Sequence, residues 1–75
     1  MTKTEKILKE NLIRLRENRG LTPYRVAKAN QINMSYYYGM EDPVKSRRIN
    51  YEYLESLAAF YNVSVADLFT PHFLD

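Results

Sequence analysis

Leu15-Arg16-Glu17-Asn18-Arg19-Gly20-Leu21-Thr22-Pro23 is the stretch on which the fold turns. Gly20 stands just past the last residue of an apolar periodicity. There glycine takes the left-handed cap conformation without steric cost, and Leu21 can fold back on the helix end. Thr22 is a preferred N-cap, and Pro23 then occupies the first helical position, where its missing amide proton costs nothing. One helix therefore ends and another begins inside this stretch.

Working upstream, Leu8, Leu12 and Leu15 fall at i, i+4 and i+7 with Lys, Arg and Glu between them, which predicts an amphipathic helix from Thr4 to Arg19. Downstream, a short second helix runs from Pro23 to about Asn30 with Val26 and Ala27 pointing inward. Asn30-Gln31-Ile32-Asn33 interrupts the periodicity with two asparagines, one tolerant of left-handed geometry and the other a good N-cap. A third helix follows from Met34 to about Glu41. Tyr37 and Met40, three apart, face the core, while Met34, Ser35, Tyr38 and Gly39 are read as exposed. Asp42-Pro43 stops this helix. Pro43 to Ile49 lacks apolar periodicity and carries Lys45, Arg47 and Arg48, so it reads as an exposed basic loop.

Asn50 caps a fourth helix through about Tyr61, with Leu54, Leu57, Ala58 and Tyr61 on one face and Asn62 as its stop. Ser64 and Asp67 have the spacing of a capping box and open a fifth helix through Leu68-Phe69. Thr70-Pro71 closes the pattern. The expectation is an all-α fold of five short helices in a single domain spanning residues 1–75, with its core over about 4–69 and a short C-terminal tail, 70–75.

At 75 residues the chain has interior for one hydrophobic core, and its 45% apolar content fits a globular domain better than disorder. No apolar run approaches the roughly 20 residues of a membrane span. The charged N-terminus lacks the apolar block of a secretory signal, so a cytoplasmic protein is expected. With no cysteine and one histidine, His72, read as a solvated tail residue, neither a metal site nor a cofactor is expected. No acid pair or nucleophile–base spacing suggests catalysis or a small-molecule substrate. The charge is uneven. Residues 1–50 hold all eleven Lys and Arg against five acids, a balance of +6, whereas residues 51–75 hold four acids and no Lys or Arg. The first two-thirds is thereby suited to face a polyanion.

Residues Leu15 to Thr22 closely resemble the start of the phage-repressor-like (Cro and repressor, XRE-type) helix-turn-helix family. Leu57-Ala58-Ala59-Phe60-Tyr61-Asn62-Val63-Ser64-Val65-Ala66-Asp67-Leu68-Phe69 looks like that family's ending, and Val26-Ala27 and Ile32 fall where it has an apolar pair and an apolar turn residue. The resemblance covers about residues 10–69. It implies a repressor-like domain whose third helix enters the major groove of operator DNA, and a structural ion pair between Arg16 and Glu41 with bidentate geometry. The departures are Pro23 where the family has a phosphate-binding glutamine, Gln31 at the turn glycine, Gly39 where a base is often read, and a loop after Glu41 about two residues longer than usual.

Two functions are weighed on this basis. The first is a bacterial or phage transcriptional regulator that binds double-stranded operator DNA. Asn33, Met34, Ser35 and Tyr38 would face bases, and Arg25, Lys28, Lys45, Arg47 and Arg48 would meet phosphates. The alternative is an antirepressor or modulator of repression that presents the same helix to a repressor protein. Exposed Tyr and Met near Arg suit a protein interface, and Glu41-Asp42 would repel phosphates. Two-fold operators call for a homodimer, with Tyr51, Phe60, Phe69, Phe73 and Leu74 as its candidate surface, although Phe60 and Phe69 are favoured as core.

Overall fold

The computed structural model describes residues 1–74. Five helices follow in order: α1 (Lys3–Asn18), α2 (Pro23–Ala29), α3 (Met34–Glu41), α4 (Tyr51–Tyr61) and α5 (Val65–Leu68). Among the described residues there is no strand, and no helix is long and apolar enough to cross a membrane.

Short polar side chains start every helix. Thr2, Thr22, Asn33, Asn50 and Ser64 each accept a hydrogen bond from the backbone N–H three residues on, and Asp67 completes a reciprocal box with Ser64. Gly20 closes α1 at φ +66°, and the Leu21 amide returns to the Arg16 carbonyl at 3.1 Å. Asn62 closes α4 in the same left-handed region, at φ 58°. In the turn between α2 and α3 the left-handed residue is Gln31, at φ 55°, rather than either asparagine. Asn30 is the C-cap of α2 at φ −103°, as Arg19 is of α1 at φ −100°, and the residue after each takes the left-handed conformation. Asn30 Nδ2 donates to the Val26 carbonyl at 2.8 Å, and its Oδ1 accepts from Ser56 Oγ of α4 at 2.6 Å.

The core is the set that the periodicities pick out: Leu8, Leu12 and Leu15 of α1, Val26 and Ala27 of α2, Ile32 of the turn, Tyr37 and Met40 of α3, Leu54, Leu57, Ala58 and Tyr61 of α4, and Leu68 of α5. Helix α3 packs on both α1 and α2, and α5 on both α1 and α4. Two expectations about apolar residues of the C-terminal third change. Phe60 is 36% exposed, off the buried row of α4, with its ring edge-on to Tyr61 at 5.0 Å. Phe73 and Leu74 instead pack against the core, which therefore extends past residue 69 into the tail.

Three polar residues of α1 are buried beside its leucines. Asn11 is 2% exposed and donates to the carbonyls of Leu68 and Thr70 at 2.9 and 3.0 Å, fastening the end of α5. Lys9 is 4% exposed and caps α3, its Nζ donating to the Gly39 carbonyl at 2.7 Å and the Met40 carbonyl at 3.3 Å. Those carbonyls belong to the last turn of α3, which has no intrahelical donor to satisfy it. Glu5 accepts from the Arg47 amide at 2.8 Å and from Ser46 Oγ at 2.9 Å. These two donors hold its carboxyl below the usual carboxylate range. Glu5 thus pins the segment between α3 and α4 to α1.

Candidate functional site

Helix α3 is anchored at its C-terminal end and open near its N-terminal end. The anchor is Glu41, whose side chain is 9% exposed and faces Arg16, 13% exposed. Arg16 Nε donates to both carboxylate oxygens, at 3.1 and 2.9 Å. Nη1 donates instead to the Leu21 carbonyl at 2.9 Å. The contact is therefore one nitrogen shared between two oxygens rather than the expected two-pronged fork, because the second prong closes the turn after α1. The Tyr37 hydroxyl, fully buried, also donates to Glu41 Oε2. Burial and this carboxylate both push the Tyr37 phenol up, so it stays a donor.

Glu41 is consequently an internal, neutralised charge and does not repel an incoming polyanion. Asp42 is likewise occupied, accepting from the amides of Val44 and Lys45 at 2.8 and 3.3 Å in an Asx-type turn. The sequence argument that Glu41-Asp42 repels phosphates is corrected for Glu41.

The expected base-facing residues lie together in the first turns of α3, with unequal freedom. Ser35 is exposed, and Tyr38 is 52% exposed. Asn33 is exposed, but its Oδ1 caps the helix through the Tyr36 amide at 3.1 Å, so only its Nδ2 group is left to donate to a ligand. Met34 is half-buried and packs against the core, a narrower apolar edge than an exposed residue would give. Tyr36 is half-buried, its ring edge-on to Tyr53 at 5.3 Å and its hydroxyl donating to the Arg48 carbonyl.

The five expected phosphate contacts separate into three groups. Arg25 and Lys28 are exposed on α2, where with Tyr24 and Phe60 they line an open cleft. Lys28 Nζ rests 3.2 Å from the Tyr24 hydroxyl. Lys45 and Arg48 are exposed on the segment between α3 and α4. Arg47 is half-buried and lies back across α3, its guanidinium carbon 6.0 Å from the centre of the Tyr36 ring. The exposed-loop reading is corrected at Arg47, and so is the exposure of Gly39, which is buried beneath this side chain. Both errors have one physical source. Glu5 draws the Arg47 backbone down onto α1, a contact between residues 42 apart that no local pattern signals.

Sequence reasoning missed Glu5, Lys9 and Asn11. A signal was present, since Glu5, Lys9 and Leu12 fall at i, i+4 and i+7, and Asn11 and Leu15 at i and i+4, on the flanks of the leucine stripe. Among the described residues no cluster of His, Cys, Asp or Glu side chains could hold a metal ion. No family model, curated protein or solved structure matches the chain.

Proposed function

We propose that this domain is a bacterial or phage transcriptional regulator, acting in the cytoplasm, that binds double-stranded operator DNA with α2, the turn and α3 as a helix-turn-helix of repressor-like type. The observation that carries the reading is the outward face of α3. Asn33, Ser35 and Tyr38 project from its first turns with no core role, and exposed cations lie on both chain flanks, Arg25 and Lys28 before it and Lys45 and Arg48 after it. A helix with polar and aromatic side chains outward fits the major groove, where Ser35 and Asn33 Nδ2 meet base edges. The flanking cations neutralise phosphates and set register. Glu41 is paired with Arg16 and is only 9% exposed, so it adds no unpaired negative charge beside this face.

The half-exposed Tyr24 and Tyr38 favour one alternative, a modulator of repression that docks the same face on a repressor protein, because exposed tyrosines are common anchors of protein interfaces. One substitution separates the two. Tyr38→Ala leaves folding unchanged, as the ring makes no core contact. In the DNA reading it weakens operator binding by about 1–3 kcal/mol. The assay is salt-titrated binding to duplex DNA from beside the gene, run with a partner pull-down and a thermal melt of each protein. DNA binding that weakens in the variant upholds the proposal. Parent protein that ignores DNA at low salt, yet holds a repressor through Tyr38, overturns it in favour of the alternative.

A further inference from the structure

The outward row of α3 contains a gap that another part of the chain fills. Ser35 and Gly39 are one helical turn apart and share a face. Gly39 contributes no side chain there, although glycine weakens the middle of a helix. Its reason is steric: a Cβ on Gly39 would collide with Arg47 Nε and would lie 2.9 Å from Arg47 Cγ and 3.0 Å from Cδ. The space of an α3 side chain is thus occupied by the stem of Arg47, brought in from the following loop.

Arg47 is held in that place rather than resting there. Its amide is bonded to Glu5, Ser46 beside it is bonded to the same carboxylate, and its guanidinium stands over Tyr36. Beneath it, Lys9 fixes the Gly39 carbonyl and lies 4.0 Å from Glu5. Among the described residues no carboxylate or carbonyl accepts a hydrogen bond from the Arg47 guanidinium itself. The side chain is positioned by its stem and backbone while its donors stay available.

Building on the DNA-binding reading above, we infer that Arg47 is the base-reading side chain that α3 lacks. It crosses Gly39 and presents its guanidinium beside Ser35 to the O6 and N7 acceptors of a guanine in the major groove. None of the outward residues of α3 has a two-pronged donor, and the guanidinium fork is the group that matches this acceptor pair. Fixing the stem before binding reduces the ordering cost of the contact. Arg47 then specifies sequence, whereas Lys45 and Arg48 of the same loop only position the duplex.

The test is selection of a preferred site from a randomised duplex pool with the parent protein, followed by affinities for every single base-pair change in that site. The same set is measured for Arg47→Ala, Arg47→Gln, Gly39→Ala and Lys45→Ala, with a thermal melt of each. The parent is expected to show a G·C pair whose replacement weakens binding about tenfold or more. Arg47→Ala and Arg47→Gln flatten the preference at that pair to about twofold or less and keep the preferences elsewhere. Gly39→Ala does the same, because its methyl group displaces the arginine stem. Lys45→Ala weakens all sequences alike. A uniform loss in the Arg47 variants with the G·C preference intact makes Arg47 a phosphate contact and overturns the inference alone. So does an unaltered preference in Gly39→Ala. A parent that binds no duplex at low salt overturns both this inference and the reading on which it rests.

Discussion

Replacing Glu41 with alanine is expected to lower the unfolding free energy by about 2–4 kcal/mol, the range for breaking a largely buried ion pair. The carboxylate takes three hydrogen bonds, two from Arg16 Nε and one from the Tyr37 hydroxyl. Without it, a guanidinium that is only 13% exposed loses its counter-charge, and a fully buried phenol loses its acceptor. The loss also removes one of the ties between the end of α3 and α1, leaving Lys9 on the Gly39 and Met40 carbonyls, so the effect reaches the outward face that this helix presents. Denaturant unfolding of Arg16→Ala, Glu41→Ala and the double variant checks it. A coupling energy of about 1 kcal/mol or more is expected, with Arg16→Ala carrying an additional cost for the Leu21 carbonyl. A coupling near zero would show that the two residues do not act as a pair.

The second large effect concerns binding. Replacing Arg25, Lys28, Lys45 and Arg48 together with alanine is expected to reduce the slope of log affinity against log salt by about 3 to 4, since each phosphate neutralised contributes about 0.9. At 0.15 M salt this is roughly a thousandfold loss in DNA affinity. Stability should change little, because all four side chains are exposed and the Tyr24 ring and hydroxyl are the partners seen for Lys28. Fluorescence anisotropy over a salt series measures the slope. An unchanged slope in a folded variant would place the polyanion elsewhere on the domain.

Much of the architecture is local and was readable in the chain. Caps such as Thr22, Asn33, Asn50 and Ser64 act within three residues of themselves, and Leu8, Leu12 and Leu15 or Leu54, Leu57, Ala58 and Tyr61 follow one helical period. The misreadings arise where a distant partner decides. Arg47 is half-buried across α3 because Glu5 holds its amide, and Gly39 is buried because Arg47 lies on it. Gln31, by contrast, takes the left-handed turn position because it stands one residue past the cap of α2, as Gly20 does past the cap of α1, with the Ile32 amide returning to the Ala27 carbonyl. There position outweighs the general tolerance of asparagine for that geometry. Phe60 shows a different failure. Its position off the row of Leu57 and Tyr61 already pointed outward, and the general tendency of aromatics to be buried was the wrong guide.

The candidate site was legible to a similar depth. Ser35 and Tyr38 could be assigned to the outer face of α3 from spacing alone, and both are exposed there. The half-burial of Met34 and the capping role of Asn33 Oδ1 narrow that face. The division of the basic residues into exposed cations and one arginine laid across α3 needed three dimensions, because residue type is the same for Arg47 and Arg48.

The most direct test of the central claim is a titration of isotopically labelled protein with a duplex carrying its selected site, following backbone amide shifts and the side-chain signals of Arg47 and Tyr38 by NMR. The account predicts changes concentrated at residues 22–38 and 45–48, with α4 and α5 little altered and the changes reversed by salt. Absence of any shift at low salt, or shifts centred on α4 and α5, would contradict it.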